Sequence, residues 1–174
     1  MQTTSSRTKM KTINGDSLTP ILIFRRLQGK HKFLLESSAQ HEGAGRFSFI
    51  GANPRKTYKG MGQEIQEYSY QTGKTSVHKG ELFALLKRLM PRISNTTDFP
   101  FSGGAIGNIG HGATSMLRTD GKDLPEAHFH VYETIIILDH VTDEVTLIHT
   151  NIDVEKQEPD LEKLAQQILE VACK

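Results

Sequence analysis

Between Glu81 and Met90 the apolar residues Leu82, Leu85, Leu86 and Leu89 fall at i, i+3, i+4 and i+7, one stripe of a helix that Pro91 ends. A second helix is expected from Pro159, where Leu161, Leu164, Ala165 and Ile168 make one face. A third, shorter one follows Thr19, a capping residue with Pro20 at the first helical position, and carries Ile21, Phe24 and Leu27 until Gly29. Elsewhere the spacing is that of strands. Lys32 to Glu36 and Arg46 to Ile50 are apolar and aromatic, parted by a loop holding Gly43 and Gly45. Lys56 to Lys59, Gln63 to Tyr70 and Thr75 to His78 alternate as a meander, with a turn at Gln71, Thr72 and Gly73. "AHFHVYETIIILDH" and "EVTLIHTNI" read as two long strands joined around Thr142 and Asp143, and Ile135 to Leu138, apolar on both faces, places them in mid-sheet. The pattern predicts an α+β domain over residues 15–174, packed antiparallel β-sheets with peripheral helices, preceded by a loose tail over 1–14.

Composition narrows the function classes. In 174 residues, 21 basic and 20 acidic side chains leave a net charge of +1, so no broad field attracts nucleic acid or anionic lipid. Neither is expected as a partner. The longest strongly apolar run is too short to span a membrane, and the first residues lack the apolar block of a leader. A lone cysteine, Cys173, allows no intrachain disulfide, and a reducing, cytoplasmic setting is expected.

Two features invite chemistry and do not sustain it. Gly103, Gly104, Gly107, Gly110 and Gly112 match neither the dinucleotide fingerprint nor the Walker spacing, so the preferred reading is a strand closely approached by another backbone. His128 and His130 share one side of a strand, but period-two counting sends Glu133 to the other, and two histidines do not make a metal site. No metal, cofactor or catalytic group is assigned to this chain.

The stretch "FLLESSAQHEGAGRFSFIG" is different in kind. Glu36 and Ser37 close one strand, and Arg46, Ser48 and Phe49 return on the next. Together they offer an acceptor for an ammonium group, hydroxyls, a cation for a carboxylate and an aromatic wall, a set suited to an amino acid. The alternative is an ion pair between Glu36 and Arg46, with both serines bonded to local backbone.

"DSLTPILIFRRLQGKHKFLLES", "GRFSFIGANP", "FPFSGGAIGNIGHG" and "IIILDHVTDEVTLI" occur in that order, and together they resemble the N-terminal domain of the large subunit, component I, of anthranilate synthase. The related large subunit of aminodeoxychorismate synthase shares much of the pattern. The resemblance implies a regulatory domain whose Leu-Leu-Glu-Ser segment lines a tryptophan feedback site, so that Leu35, Glu36 and Ser37 inherit that role and Arg46, Ser48 and Phe49 line the other side. It also implies partners: L-tryptophan, a chorismate-binding C-terminal domain that carries magnesium-binding carboxylates, and a glutamine amidotransferase subunit. The segments of that C-terminal domain have no counterpart in these residues, so anthranilate formation is not expected from the chain by itself. Where the family places tyrosines in the glycine-rich block, this sequence has Asn108, His111 and Gly112. A free-standing amino-acid-binding module is the other reading.

Overall fold

The computed structural model describes residues 8–36, 45–93, 97–110, 126–152 and 158–170. These form two antiparallel five-stranded sheets and three helices, an α+β fold, divided into two compact units. The chain enters the second unit at Pro54, leaves it over Ile93–Gly103, re-enters at Gly104 and returns to the first at Glu133.

The first unit contains β1 (Thr8–Asn14), α1 (Pro20–Arg26), β2 (Phe33–Glu36), β3 (Phe47–Gly51), β9 (Thr134–Asp139), β10 (Glu144–Thr150) and α3 (Leu161–Leu169). Its sheet runs β1-β10-β9-β3-β2. Thr19 caps α1 as its sequence position suggests, its hydroxyl accepting from Leu22 N at 3.2 Å. The face of α1 differs from the stripe read in sequence: Ile23 and Leu27 are buried, while Ile21 is 53% exposed. Leu18, Ile23 and Leu27 join Ala165 and Ile168 of α3 over Ile50, Ile136, Leu138, Val145 and Leu147 of the sheet. That is the core of this unit.

The loose tail expected over residues 1–14 is corrected from Thr8 onward. As β1 those residues pair with β10 from Thr8↔Thr150 to Asn14↔Glu144, with Met10 and Ile13, their two apolar residues, on opposite faces. Ile13 packs on the core, Thr12 Oγ1 lies 3.2 Å from Thr146 Oγ1, and Lys9 and Lys11 reach Glu158 and Glu162 at 3.0 and 2.6 Å. Residues 1–7 lie outside the described residues.

The second unit contains β4 (Lys56–Met61), β5 (Glu64–Ser69), β6 (Thr75–Lys79), α2 (Leu82–Leu89), β7 (Gly104–Ile109) and β8 (Ala127–Tyr132), in the order β6-β5-β4-β8-β7. Leu82, Leu85 and Leu86 of α2 are buried as their spacing predicts, and Leu89 ends the helix. Glu81 caps it, accepting from Phe83 N and Ala84 N at 2.9 and 2.7 Å. Gly60 gives α2 room, since a Cβ there would lie 2.6 Å from Leu82 Cδ1.

The long strand expected from "AHFHVYETIIILDH" is two strands in two sheets, β8 and β9. Glu133 breaks it. Its carbonyl accepts from Thr150 N at 2.8 Å and its Oε1 from Ile152 N at 3.0 Å, so a buried carboxylate fixes the turn through contacts that sequence spacing does not reveal. β10, by contrast, follows the "EVTLIHTNI" reading closely.

Candidate functional site

The two segments of the polar junction become neighbouring strands. β2 pairs antiparallel with β3, setting Leu35 opposite Phe49 and Glu36 opposite Ser48. Cross-strand partners share a face and successive residues alternate, so the sheet divides the candidate residues in two.

Ser48 lies on the face that Ile50 turns to the helices. It is buried, and its Oγ is 2.7 Å from Nε2 of His140. Glu36, opposite it, is exposed at the end of β2. Leu35 and Phe49 lie on the other face, where Leu35 is 45% exposed and the Phe49 ring meets Phe101 edge-on at 5.8 Å between centroids. Phe47, on the same side, meets Phe99 at 5.7 Å. Ser37 lies outside the described residues.

Arg46 stands just before β3 and does not pair with Glu36. Its Nε lies 3.1 Å from both carboxylate oxygens of Asp139, and its Nη2 lies 2.8 Å from Oδ2, a two-pronged contact that fixes the guanidinium plane. The guanidinium also lies 4.8 Å from the Phe47 ring centroid. The register Phe47↔Asp139 and the bond from His140 N to Arg46 O, 2.8 Å, bring the two together. Hydrogen bonding to Arg46, reinforced by Val141 N on Oδ1 at 2.9 Å, holds the Asp139 carboxyl below the usual carboxylate range. The same contact raises Arg46. Arg46 Nη1 makes no hydrogen bond among the described residues, so its two N–H groups remain to donate.

The structure therefore brings Arg46, Phe47 and Asp139 together, seats Ser48 on His140, and separates Leu35 and Phe49 from Glu36 and Ser48. Asp139 and His140 escape a reading of the junction alone. They sit some ninety residues away, and only the pairing of β3 with β9 reveals them; the "LDH" sequence at the end of an apolar run is the one local signal.

Of the glycine block, Gly104 and Gly107 lie in β7, and Gly112 lies outside the described residues. A Cβ on Gly107 would lie 2.0 Å from His128 O and 2.6 Å from Phe129 Cα, so glycine is there because another backbone passes close. The rings of His128 and His130 are 4.7 Å apart, on one side of β8, and His130 Nδ1 lies 2.9 Å from Thr57 Oγ1. Among the described residues no group of three or more His, Cys, Asp or Glu is placed to hold a metal ion. No helix among them is long and apolar enough to cross a membrane.

No family model matches the chain. It is similar to anthranilate synthase component 1 of Lactococcus lactis, 30% identical over 163 residues that make up 88% of this chain and 35% of that protein. Against the component 1 of Saccharomyces cerevisiae it is 31% identical over 157 residues, 83% of this chain and 29% of the other. The crystal structure of anthranilate synthase component I from Streptococcus pneumoniae has 28% identity, covering 90% of this chain and 34% of that one, with a TM-score of 0.48. The chain thus spans about a third of the length of the curated relatives it matches. Over most of its own length it is a homologue of anthranilate synthase component 1, and it resembles the N-terminal domain of that protein.

Proposed function

We propose that this chain is the regulatory part of an anthranilate synthase large subunit and contributes half of a feedback site for L-tryptophan. The observation that carries the reading is the likeness to component 1 over 88% of the chain. It is supported by the way the junction folds, since the pairing of β2 with β3 sets Leu35 beside Phe49 on one face, next to the Phe47 and Phe99 rings, while Glu36 and Ser48 fall on the other face. Arg46 Nη1 keeps donors for a ligand carboxylate, while Asp139 fixes the direction in which they are offered. Ser48, already bonded to His140, serves by positioning the strand and not by touching the ligand.

In this reading the chemistry belongs to the whole enzyme. Chorismate and ammonia, the latter released from glutamine by an amidotransferase subunit, give anthranilate, pyruvate and water in a magnesium-dependent domain outside the matched third. Tryptophan then acts by favouring a conformation in which turnover is slow, a coupling between two sites. The curated relatives named above are anthranilate synthases, which favours this branch over aminodeoxychorismate synthesis.

L-tryptophan titrated into the ¹⁵N-labelled chain should shift the backbone amides of Leu35, Glu36, Phe47 and Phe49, with the millimolar affinity of a half-site. Saturation at micromolar tryptophan would favour the free-standing module. Amides that stay put up to the solubility limit would refute a tryptophan site here.

A further inference from the structure

We propose that a hollow in the first unit, away from the junction, is a binding site for a small organic carboxylate. Its volume is about 520 Å³, within the range of small-molecule sites. Residues following α1 and β3 form one side, and the first turns of α3 form another.

Gly29 and Gly51 line the wall, and neither has room for a side chain. A Cβ on Gly51 would lie 2.4 Å from the Phe33 ring, and one on Gly29, at φ +134°, would lie 2.5 Å from the Asn53 side-chain amide. Ala52, between Gly51 and Asn53, adds one methyl. Asn53 is held at both ends: its N donates to Lys30 O, and its Oδ1 accepts from Lys30 N, each at 2.9 Å. With the oxygen taken, the amide NH₂ is the group left to donate. Gln167 repeats the arrangement more loosely, its Oε1 accepting from Gln28 N at 3.5 Å and its Nε2 left over.

The balance of donors and acceptors decides the ligand class. Asp160 spends Oδ1 on Lys163 N at 2.9 Å, capping α3, so the helix terminus is already satisfied. Lys163 has no ion-pair partner among the described residues and lines the same hollow. The charges of Lys163 and Asp160 balance, but three free donor groups, the Lys163 ammonium and the two amides, face one free acceptor, Asp160 Oδ2, and favour a carboxylate head group. Leu27, Ile136 and Leu164 offer the body an apolar side. An amphipathic carboxylate of amino-acid size satisfies both.

The test follows the side-chain NH₂ resonances of Asn53 and Gln167 while benzoate, L-leucine or benzyl alcohol is added to the chain. Benzoate and L-leucine should shift them saturably and benzyl alcohol should not. Lys163→Gln, at an exposed helical position where folding is preserved, should weaken benzoate about tenfold, and Lys163→Arg should largely restore it. Leu35→Ala, on the exposed face of the junction, should leave these titrations unchanged, which separates this site from the junction. Resonances that do not move, that move equally with benzyl alcohol, or that move equally in Lys163→Gln would overturn the proposal.

Discussion

Replacing Ile23 by alanine removes three carbons from a side chain with no exposed surface, between α1 and the first sheet. At about 0.8 kcal/mol per buried carbon the lost transfer term is about 2.4 kcal/mol. Incomplete collapse of the vacated space adds about 1–2 kcal/mol, and the better helix propensity of alanine returns about 0.4 kcal/mol. The expected loss is therefore about 3–4 kcal/mol, a large share of the roughly 5–15 kcal/mol that holds a domain folded. Ile21, two residues away and 53% exposed, makes the control. Its transfer loss is at most about half as large and has no cavity term, so Ile21→Ala should cost about 1 kcal/mol or less. Urea unfolding of the parent and both variants, followed by far-ultraviolet circular dichroism, reads the difference as a shift in midpoint at constant slope. Equal losses, or a larger loss at Ile21, would mean that α1 presents the stripe 21, 24, 27 to the sheet, and the packing described above would be wrong.

Two further predictions concern pH. Because Asp139 titrates below its ordinary value of 3.8 in the folded chain, the Arg46 contact stabilises above that value and is lost as pH falls through the lower folded one. Asp139→Asn should flatten the acid limb of stability below about pH 4, and identical acid curves for variant and parent would show that the pair contributes nothing there. At the other extreme, burial and the neighbouring Tyr70 push the Tyr132 phenol up to about 12 from 10.0. Its share of stability is complete below pH 10 and disappears as pH rises towards 12. Tyrosinate absorbance should show a component titrating near 12 that vanishes in Tyr132→Phe; a spectrum complete by pH 11 in the parent would contradict this burial.

Periodicity exposed α2, with Leu82, Leu85 and Leu86 at helical spacing, and the β4-β5-β6 meander, with its turn at Gly73. These elements depend on neighbours within a few residues. What periodicity could not show was where partners come from far along the chain. β8 and β9 look like one strand because both are apolar, and only the contacts of Glu133 with Thr150 and Ile152 divide them. The same limit governs the junction. Its residue types were legible, but the alternative pairing of Arg46 with Glu36 is settled by Asp139, a group supplied by strand register. Residues 1–14 read as a tail because Met10 and Ile13, three apart, give no alternation, and only the pairing of Thr8–Asn14 with β10 makes them a strand.

That pairing has a consequence during synthesis. β1 leaves the ribosome long before its partner, and every hydrogen bond it makes in the sheet waits for Glu144–Thr150. At roughly 5–20 residues per second the delay is on the order of ten seconds, ample time for a nascent segment to meet chaperones or be nicked by a peptidase. Removing β1 would not trim an ornament; it would strip one border of the sheet and leave β10 as a raw edge open to association.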